Sequence, residues 1–363
     1  MLLNYFIETL SFFFGAILLS WFINRVLLRF SKTLGIRNKN DVVIRWSNES
    51  KPSLGGISLF STFLFAILVY AVYNSEAVIF DDIEVVGLIG ASIVAFIMGV
   101  ADDAYNTKPL LKLFGQIFCG VILVFTNNSI AFFHNDIGDG ILTVVWIVTI
   151  MNSLNMLDNM DGITATVSLF ILLTCTVSML VISDFEFSLW VIILVVEIGA
   201  IIGFLVYNIN PAKMFMGDTG SQFIGLFVGF SAIKGLWNAP SYYELPSWSG
   251  MLIVLVAFTP AAADTLTVVI NRIKRGQSPM VGGKDHTTHH LVYKGFSDFK
   301  VWTRFLFISA LSFCLSVVLI HQLDYGFYTL TLIGIPYFLI VFFFLYRNTI
   351  KYPQPKNNMF DNK

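Results

Sequence analysis

The chain consists of long apolar runs broken by short polar segments. The runs lack the strict apolar–polar alternation of half-buried strands, and most approach or exceed the roughly 18–20 residues that carry a helix across a bilayer. Taking spans of about 17–23 residues, the pattern predicts helices over 4–25, 53–73, 85–101, 110–126, 140–155, 163–182, 188–208, 219–237, 248–270, 302–321 and 327–346. Gly and Ser interrupt several of them, which bundled membrane helices tolerate. The expected fold class is an all-α integral membrane protein, a polytopic bundle of about eleven transmembrane helices. An outer-membrane barrel needs short alternating segments and is excluded.

Composition agrees. Of 363 residues, 56% are hydrophobic and 12% charged, with mean hydropathy +0.77, against about 25% charged in soluble domains. The net charge of −1 says little, but its distribution assigns sides. On this helix count the segments 25–52, 101–112, 155–163, 208–218, 271–304 and 347–363 share one side and hold 21 of the 22 Lys and Arg residues; only Lys234 lies elsewhere. By the positive-inside rule that side is the cytoplasm. This expectation puts the N-terminus outside and the C-terminus inside. Arg25 and Arg29 follow the first apolar run and no Lys or Arg precedes it, which favours a retained helix over a cleaved signal. Cys119, Cys175 and Cys314 are scattered singly, with no metal knuckle and no obvious disulfide pair. No internal repeat is evident, so residues 1–351 are read as one membrane domain. Residues 352–363, with two prolines and little that is apolar, are read as a disordered cytoplasmic tail.

The candidate chemistry lies where helices end. Asn152-Ser153-Leu154-Asn155-Met156-Leu157-Asp158-Asn159-Met160-Asp161-Gly162 closes the apolar run 141–151. If it stays helical, the 100° step places Asn155, Asp158 and Asp161 on one fan of roughly 120°. Ionisable groups at that depth line a water-filled cavity or meet a charged ligand; the plainer alternative is a solvated turn between two helices. Asp102-Asp103 ends another apolar run, and adjacent carboxylates suit a base or a cation ligand. Lys112 and Gln116 follow at i and i+4, on one helix face. Met216-Gly217-Asp218-Thr219-Gly220-Ser221 opens a helix: Asp218 and Thr219 are favoured N-cap residues, and free amides beside a carboxylate also suit a metal-bound diphosphate. Gly282-Gly283-Lys284-Asp285-His286-Thr287-Thr288-His289-His290 gathers three of the five histidines in a basic segment. Imidazole and ammonium groups together fit an anion better than a cation. Lys51-Pro52-Ser53-Leu54-Gly55-Gly56 precedes a helix and needs only a packing role. All these motifs fall on the predicted cytoplasmic side, which points to one cleft handling Mg2+ and phosphates.

The stretches ADDAYNTKPLLKLFGQ, NMLDNMDGIT, MGDTGS, KPSLGG and DHTTHHL, in that spacing, resemble the polyprenyl-phosphate N-acetylhexosamine-1-phosphate transferase family, glycosyltransferase family 4, over roughly residues 50–295. The resemblance implies transfer of a sugar 1-phosphate from a UDP-N-acetylhexosamine to undecaprenyl phosphate, with Mg2+ (or Mn2+) as cofactor and release of UMP. It also implies ten or eleven helices among membrane lipids, a cytoplasmic site, often a homodimer, and no nucleic-acid partner. Carried over by position, Asp102 and Asp103 are the pair that deprotonates or positions the lipid phosphate, and Asp218 is the main metal ligand. Asp158 and Asp161 fall in the catalytic set, Asp158 also toward the metal. Asn155, Lys112, His286, His289 and His290 contact substrate. Two departures stand out: Asn159 replaces the first Gly of the family's DGxDG, and Thr288 precedes the His289-His290 pair in place of a third histidine. The second departure resembles the branch acting on UDP-GlcNAc more than the muramoyl-pentapeptide branch. A transporter is the reading from another class, but carriers place their acids near the midplane rather than at helix ends.

Overall fold

The computed structural model describes residues 2–31, 51–74, 79–183, 188–279 and 282–355. Residues 32–50 of the basic segment 25–52, and residues 356–363 of the expected tail 352–363, lie outside the described residues. In chain order the helices are α1 (Leu2–Phe30), α2 (Gly55–Tyr73), α3 (Ile83–Tyr105), α4 (Pro109–Phe125), α5 (Asp136–Leu157), α6 (Ile163–Ile182), α7 (Leu189–Asn208), α8 (Gly217–Ala232), α9 (Trp248–Ala257), α10 (Thr259–Lys274), α11 (Thr287–Tyr293), α12 (Asp298–Asp324) and α13 (Gly334–Lys351). Among the described residues there is no strand, only an isolated parallel bridge between Ser53 and Phe215.

Local chemistry sets several starts. Asp82 accepts from the Glu84 amide ahead of α3, Asn135 from Gly138 ahead of α5, and Ser297 from Lys300 ahead of α12, satisfying amides that a helix start leaves open. Pro109 stands in the first turn of α4, where its missing N–H costs nothing.

Each of the eleven expected segments meets a helix. Eight are long and apolar enough to cross a membrane, or nine if the bent pair α9–α10 is one span. Helices α4 and α8 are shorter, at 17 and 16 residues, and α8 runs on into a π turn over Ile233–Trp237. The expected single helix 248–270 is corrected: it bends by 82° between α9 and α10. Pro260 sits in the first turn of α10; without an N–H and with its ring against the preceding turn, it breaks the ladder there.

Helix α8 is the hub. It is buried on all sides from Thr219 to Ala232, as expected of a helix apolar all round, and packs against α2, α3, α5 and α6. Glycines permit the approach: a Cβ at Gly225 would lie 2.7 Å from the Met151 Cα, and one at Gly56 would fall inside contact with the Gly220 backbone. Phe60, Phe63, Phe96, Phe223 and Phe227 fill the space between α2, α3 and α8, with Phe60 stacked on Phe96 at 4.1 Å. Outward faces of α1 and α13 carry exposed Phe14, Leu18, Phe22, Phe343 and Phe344, a surface suited to lipid. Lys234, the one cation set apart by the sequence, pairs with Glu84 at 2.6 Å at the end of the bundle away from the motifs.

Candidate active site

The motifs meet where α3, α5 and α7 end and α2, α4, α6 and α8 begin. The start of α8 is held from outside its own sequence. Asp103, on the last turn of α3, accepts from the amides of Asp218 (3.1 Å) and Thr219 (2.9 Å) and from the Thr219 hydroxyl (2.7 Å). Asp218 and Thr219 were expected to cap α8 themselves. They lie instead inside its first turn, and no local side chain caps it, because the α3 carboxylate already meets those amides. The segment before α2 pairs with the same strand of backbone: Gly55 N–H reaches Phe215 O at 3.1 Å and Gly56 N–H reaches Met216 O at 3.0 Å. Gly217 takes φ +75°, and a Cβ there would lie 2.8 Å from Asp103 Oδ2, so glycine is required on both counts.

Asp102, 1% exposed, accepts at Oδ1 from the Thr107 amide and hydroxyl, both at 2.8 Å, and pairs through Oδ2 with Lys112. Asp218 is its neighbour in the site. Asn155 donates to Asp218 Oδ1 at 2.6 Å and to Ser221 Oγ at 2.8 Å. Gln116 donates to Asn152 (3.2 Å) and Gln222 (3.1 Å) while accepting from Asn152 (2.7 Å), tying α4, α5 and α8 together.

The helical fan of Asn155, Asp158 and Asp161 does not form. Helix α5 stops at Leu157 with Asp158 as its C-cap, and Gly162 at φ +75° turns the chain into α6. The left-handed glycine ends what periodicity would have continued. Asp158 remains beside the other acids: desolvation, then the charges of Asp218, Asp103 and Asp161, push its carboxyl up to about 8. Asp161 turns away to the segment before α8, where its Oδ2 accepts from the Ala212 amide at 2.9 Å and Asn210 Nδ2 at 3.1 Å.

The histidine segment is a buried short helix, α11, rather than an open loop. Thr288 donates to Asn159 Oδ1 at 2.7 Å, docking it on the α5–α6 turn. His286 and His289 rings meet edge to face at 5.4 Å. His290 Nδ1 lies 2.6 Å from the Tyr352 carbonyl. Burial, aided by the charge of His286, pushes His289 down to about 3, so it meets a ligand as a neutral N–H donor rather than a cation.

Sequence reasoning passed over Asp264 and Thr265 on α10. Asp264, fully buried, accepts from Thr287 N (2.8 Å) and Oγ1 (2.6 Å) and lies 2.9 Å from His286 Nδ1; Thr265 meets Ser153 at 2.7 Å. The available signal was an aspartate standing alone in the apolar run 248–270. Arg272 holds Asp285 through two bonds of 2.7 and 3.0 Å, and Arg275 adds a third. Burial raises the Asp285 carboxyl, but the hydrogen bonds and charge of Arg272, then Arg275, outweigh it and hold the group at about 2. A depressed carboxyl stabilises the fold above its unfolded pKa and loses that contribution as pH falls through the folded value. Asp285→Asn is therefore expected to cost about 2 kcal/mol at pH 7. Thermal unfolding in detergent should show the deficit closing between about pH 4 and about pH 2; a deficit independent of pH would exclude this ion-pair origin.

A metal site was tested on donor chemistry. Among the described residues no group of three or more His, Cys, Asp or Glu side chains is arranged as a ready-made cage. Mg2+ does not require one, since it is usually held by one or two carboxylates plus water and substrate phosphates. Asp102 and Asp218, neighbours in the site, supply that pair. The donor set is all oxygen, and it fits.

Comparison with known proteins points to glycosyl phosphate transfer. The sequence model for glycosyl transferase family 4 matches residues 85–236. A probable undecaprenyl-phosphate N-acetylglucosaminyl 1-phosphate transferase of Bacillus subtilis is 28% identical over 255 residues, covering 68% of this chain and 67% of the relative. A decaprenyl-phosphate N-acetylglucosaminephosphotransferase of Mycolicibacterium smegmatis is 29% identical over 272 residues, 68% of this chain and 66% of the relative. A phospho-N-acetylmuramoyl-pentapeptide-transferase of Campylobacter jejuni is 26% identical over 349 residues, 83% of this chain and 90% of the relative. The chain is a polytopic membrane enzyme that transfers glycosyl phosphates, and over residues 85–236 it is similar to glycosyl transferase family 4.

Proposed function

We propose that the protein transfers an N-acetylhexosamine 1-phosphate, with GlcNAc 1-phosphate the first choice, from its UDP-sugar to undecaprenyl phosphate. The reaction releases UMP at the cytoplasmic face of the bacterial inner membrane and starts an envelope polysaccharide. The observation that carries this reading is the gathering of Asp102, Asp218, Asn155 and Lys112 at the first turn of α8, where neighbouring carboxylates and an ammonium suit a metal-bound diphosphate. The names of the relatives point the same way.

In this reading a lipid-phosphate oxygen forms a bond to the β-phosphorus of the donor, and the bond from that phosphorus to the bridging oxygen of UMP breaks. Lys112 offsets the charge of Asp102 and stands ready for the incoming lipid phosphate. Asp102, fixed by Thr107, orients that phosphate and takes any proton it carries. Asn155 locks the rotamer of Asp218, and Asp103 sets the first turn of α8 on which Asp218 rides. Asp218, with Asp102 and Asp158, would hold Mg2+ (or Mn2+), which supplies Lewis-acid neutralisation of the diphosphate. His289, whose Nδ1 accepts from the His286 amide, donates Nε2–H to the phosphates of the donor, while His286 and His290, held at Nδ1 by Asp264 and the Tyr352 carbonyl, donate through Nε2 in their charged forms. Asp161 acts at one remove, by fixing the segment that precedes α8.

A second reading, transfer of phospho-MurNAc-pentapeptide, has its own support in the longer reach of that match along this chain. An assay of the purified protein with Mg2+ and undecaprenyl phosphate separates the two. UDP-GlcNAc and UDP-MurNAc-pentapeptide are offered separately while UMP and lipid product are followed. Turnover of UDP-GlcNAc alone is expected; turnover of the pentapeptide donor alone would replace the first reading with the second.

A further inference from the structure

Helix α10 leaves α9 at 82°, and three of its side chains reach toward the site. Thr265 meets Ser153 on α5. Asp264, the residue before Thr265, and Arg272, two turns on, grip the segment leading into α11. The Asp264 contacts are unusual for their depth. The carboxylate is fully buried, yet one oxygen serves both the amide and the hydroxyl of Thr287 while the other faces His286 Nδ1. A buried acid in a membrane protein is costly unless paired and hydrogen-bonded. A role confined to closing the start of a seven-residue helix would be met as well by Ser, Thr or Asn; it does not call for a carboxylate aimed at an imidazole. An acceptor at Nδ1 fixes the ring: in the neutral form it selects the tautomer with hydrogen on Nδ1, and in the charged form it leaves Nε2–H as the free donor edge. The ring then sits edge to face with His289, and the same helix is joined to the α5–α6 turn by Thr288 and Asn159.

We propose that Asp264 is a positioning residue for the transfer reaction: by holding His286 at Nδ1 and Thr287 at the start of α11, it sets the orientation in which the histidine segment meets the phosphates of the nucleotide-sugar donor. This rests on the transferase reading above. Other groups around His286 have different partners. Asp285 is taken by Arg272 and Arg275, and His289 accepts from the His286 amide through Nδ1.

The test compares Asp264→Asn, Asp264→Ala, His286→Ala and the double variant Asp264→Asn/His286→Ala in the full-length protein, with UMP release and thermal unfolding measured on each. Asp264→Asn keeps an oxygen for Thr287 but loses the carboxylate partner of the imidazole. It is expected to raise KM for the donor about tenfold, one charged hydrogen bond being worth about 1.5–3 kcal/mol. KM for the lipid acceptor should hold, and Tm should stay within a few degrees of wild type. In the double variant the Asp264 change should add little to the His286 change, since neighbours in one network are not additive. Asp264→Glu should recover part of the loss. Asp264→Ala, which also frees Thr287, should lower Tm as well. If Asp264→Asn lowers Tm and raises both KM values in step, or if its effect is undiminished in the His286→Ala background, the residue is structural and the proposal is overturned. Wild-type protein that turns over neither donor would instead defeat the transferase reading. The proposal then stands or falls on a direct measure: the loss of UDP-sugar binding by Asp264→Asn, read by calorimetry, set against that of His286→Ala.

Discussion

Asp218→Asn is expected to lower kcat for UMP release by about 10²–10³-fold while leaving the fold intact, the loss typical of removing one electrostatic stabiliser of a developing charge. The substitution is nearly isosteric. The new amide oxygen still accepts from Asn155, whose Nδ2 now lies 2.6 Å from Asp218 Oδ1, and the backbone amide of residue 218 still meets Asp103. What goes is one negative charge beside Asp102. If that charge holds a divalent cation, the variant should also need more Mg2+ to reach half-maximal rate. Activity within a few-fold of wild type, with unchanged Mg2+ dependence, would remove Asp218 from the metal set and with it the main support for a diphosphate at the start of α8.

The second large effect concerns packing rather than charge. Gly99 lies on α3 one turn before Asp103, on the same face. A Cβ built there would lie 2.6 Å from the Asp218 carbonyl oxygen and inside contact with the Thr219 Cα. These are backbone atoms, so no rotamer change relieves the clash. Helix propensity alone would favour Gly99→Ala by about 1 kcal/mol. Overpacking opposes it by about 1–3 kcal/mol, and the displacement of α3 draws Asp103 off the amides of α8, a capping loss of about 0.5–2 kcal/mol. The unfavourable terms win. Gly99→Ala is thus expected to lower Tm by several degrees and to cost most of the activity, because the residue set on α8 moves relative to Asp102. Gly90, on the same helix, is the control: its Cβ would find only Ile122 at 3.9 Å, so Gly90→Ala should be neutral or mildly stabilising. Equal behaviour of the two variants would show that the α3–α8 approach is looser than the structure has it.

Much of this protein is legible in one dimension. Apolar run lengths placed each expected segment on a helix, eight or nine of them among the described residues long and apolar enough to cross a membrane, because a bilayer admits only backbone that satisfies its own hydrogen bonds, and that requires length and apolarity together. The same reasoning marks out-of-place polar residues: Asp102, Asp103, Lys112, Asn155, Asp158 and Asp218 stand at helix ends, and the structure brings them to one end of the bundle. Lys234, the cation outside the pattern, was likewise set apart by the sequence and has its own partner in Glu84.

What each carboxylate does with its neighbours was decided by tertiary structure. Asp103 and Asp161 look like Asp102 and Asp158 in sequence, yet Asp103 closes the start of α8 and Asp161 holds Ala212 and Asn210. Local pattern expected Asp218 to cap its own helix and α5 to run on past Asp158. A carboxylate from α3 and a left-handed Gly162 overrode both. Asp264 lay unnoticed because its partners, His286 and Thr287, are 22 and 23 residues away, and they meet it only because the chain turns back after α10. Periodicity and hydropathy describe how a segment meets its surroundings on average. Which buried acid meets which amide, cation or imidazole depends on distances between segments far apart in the chain, and the packing around α8 sets those distances.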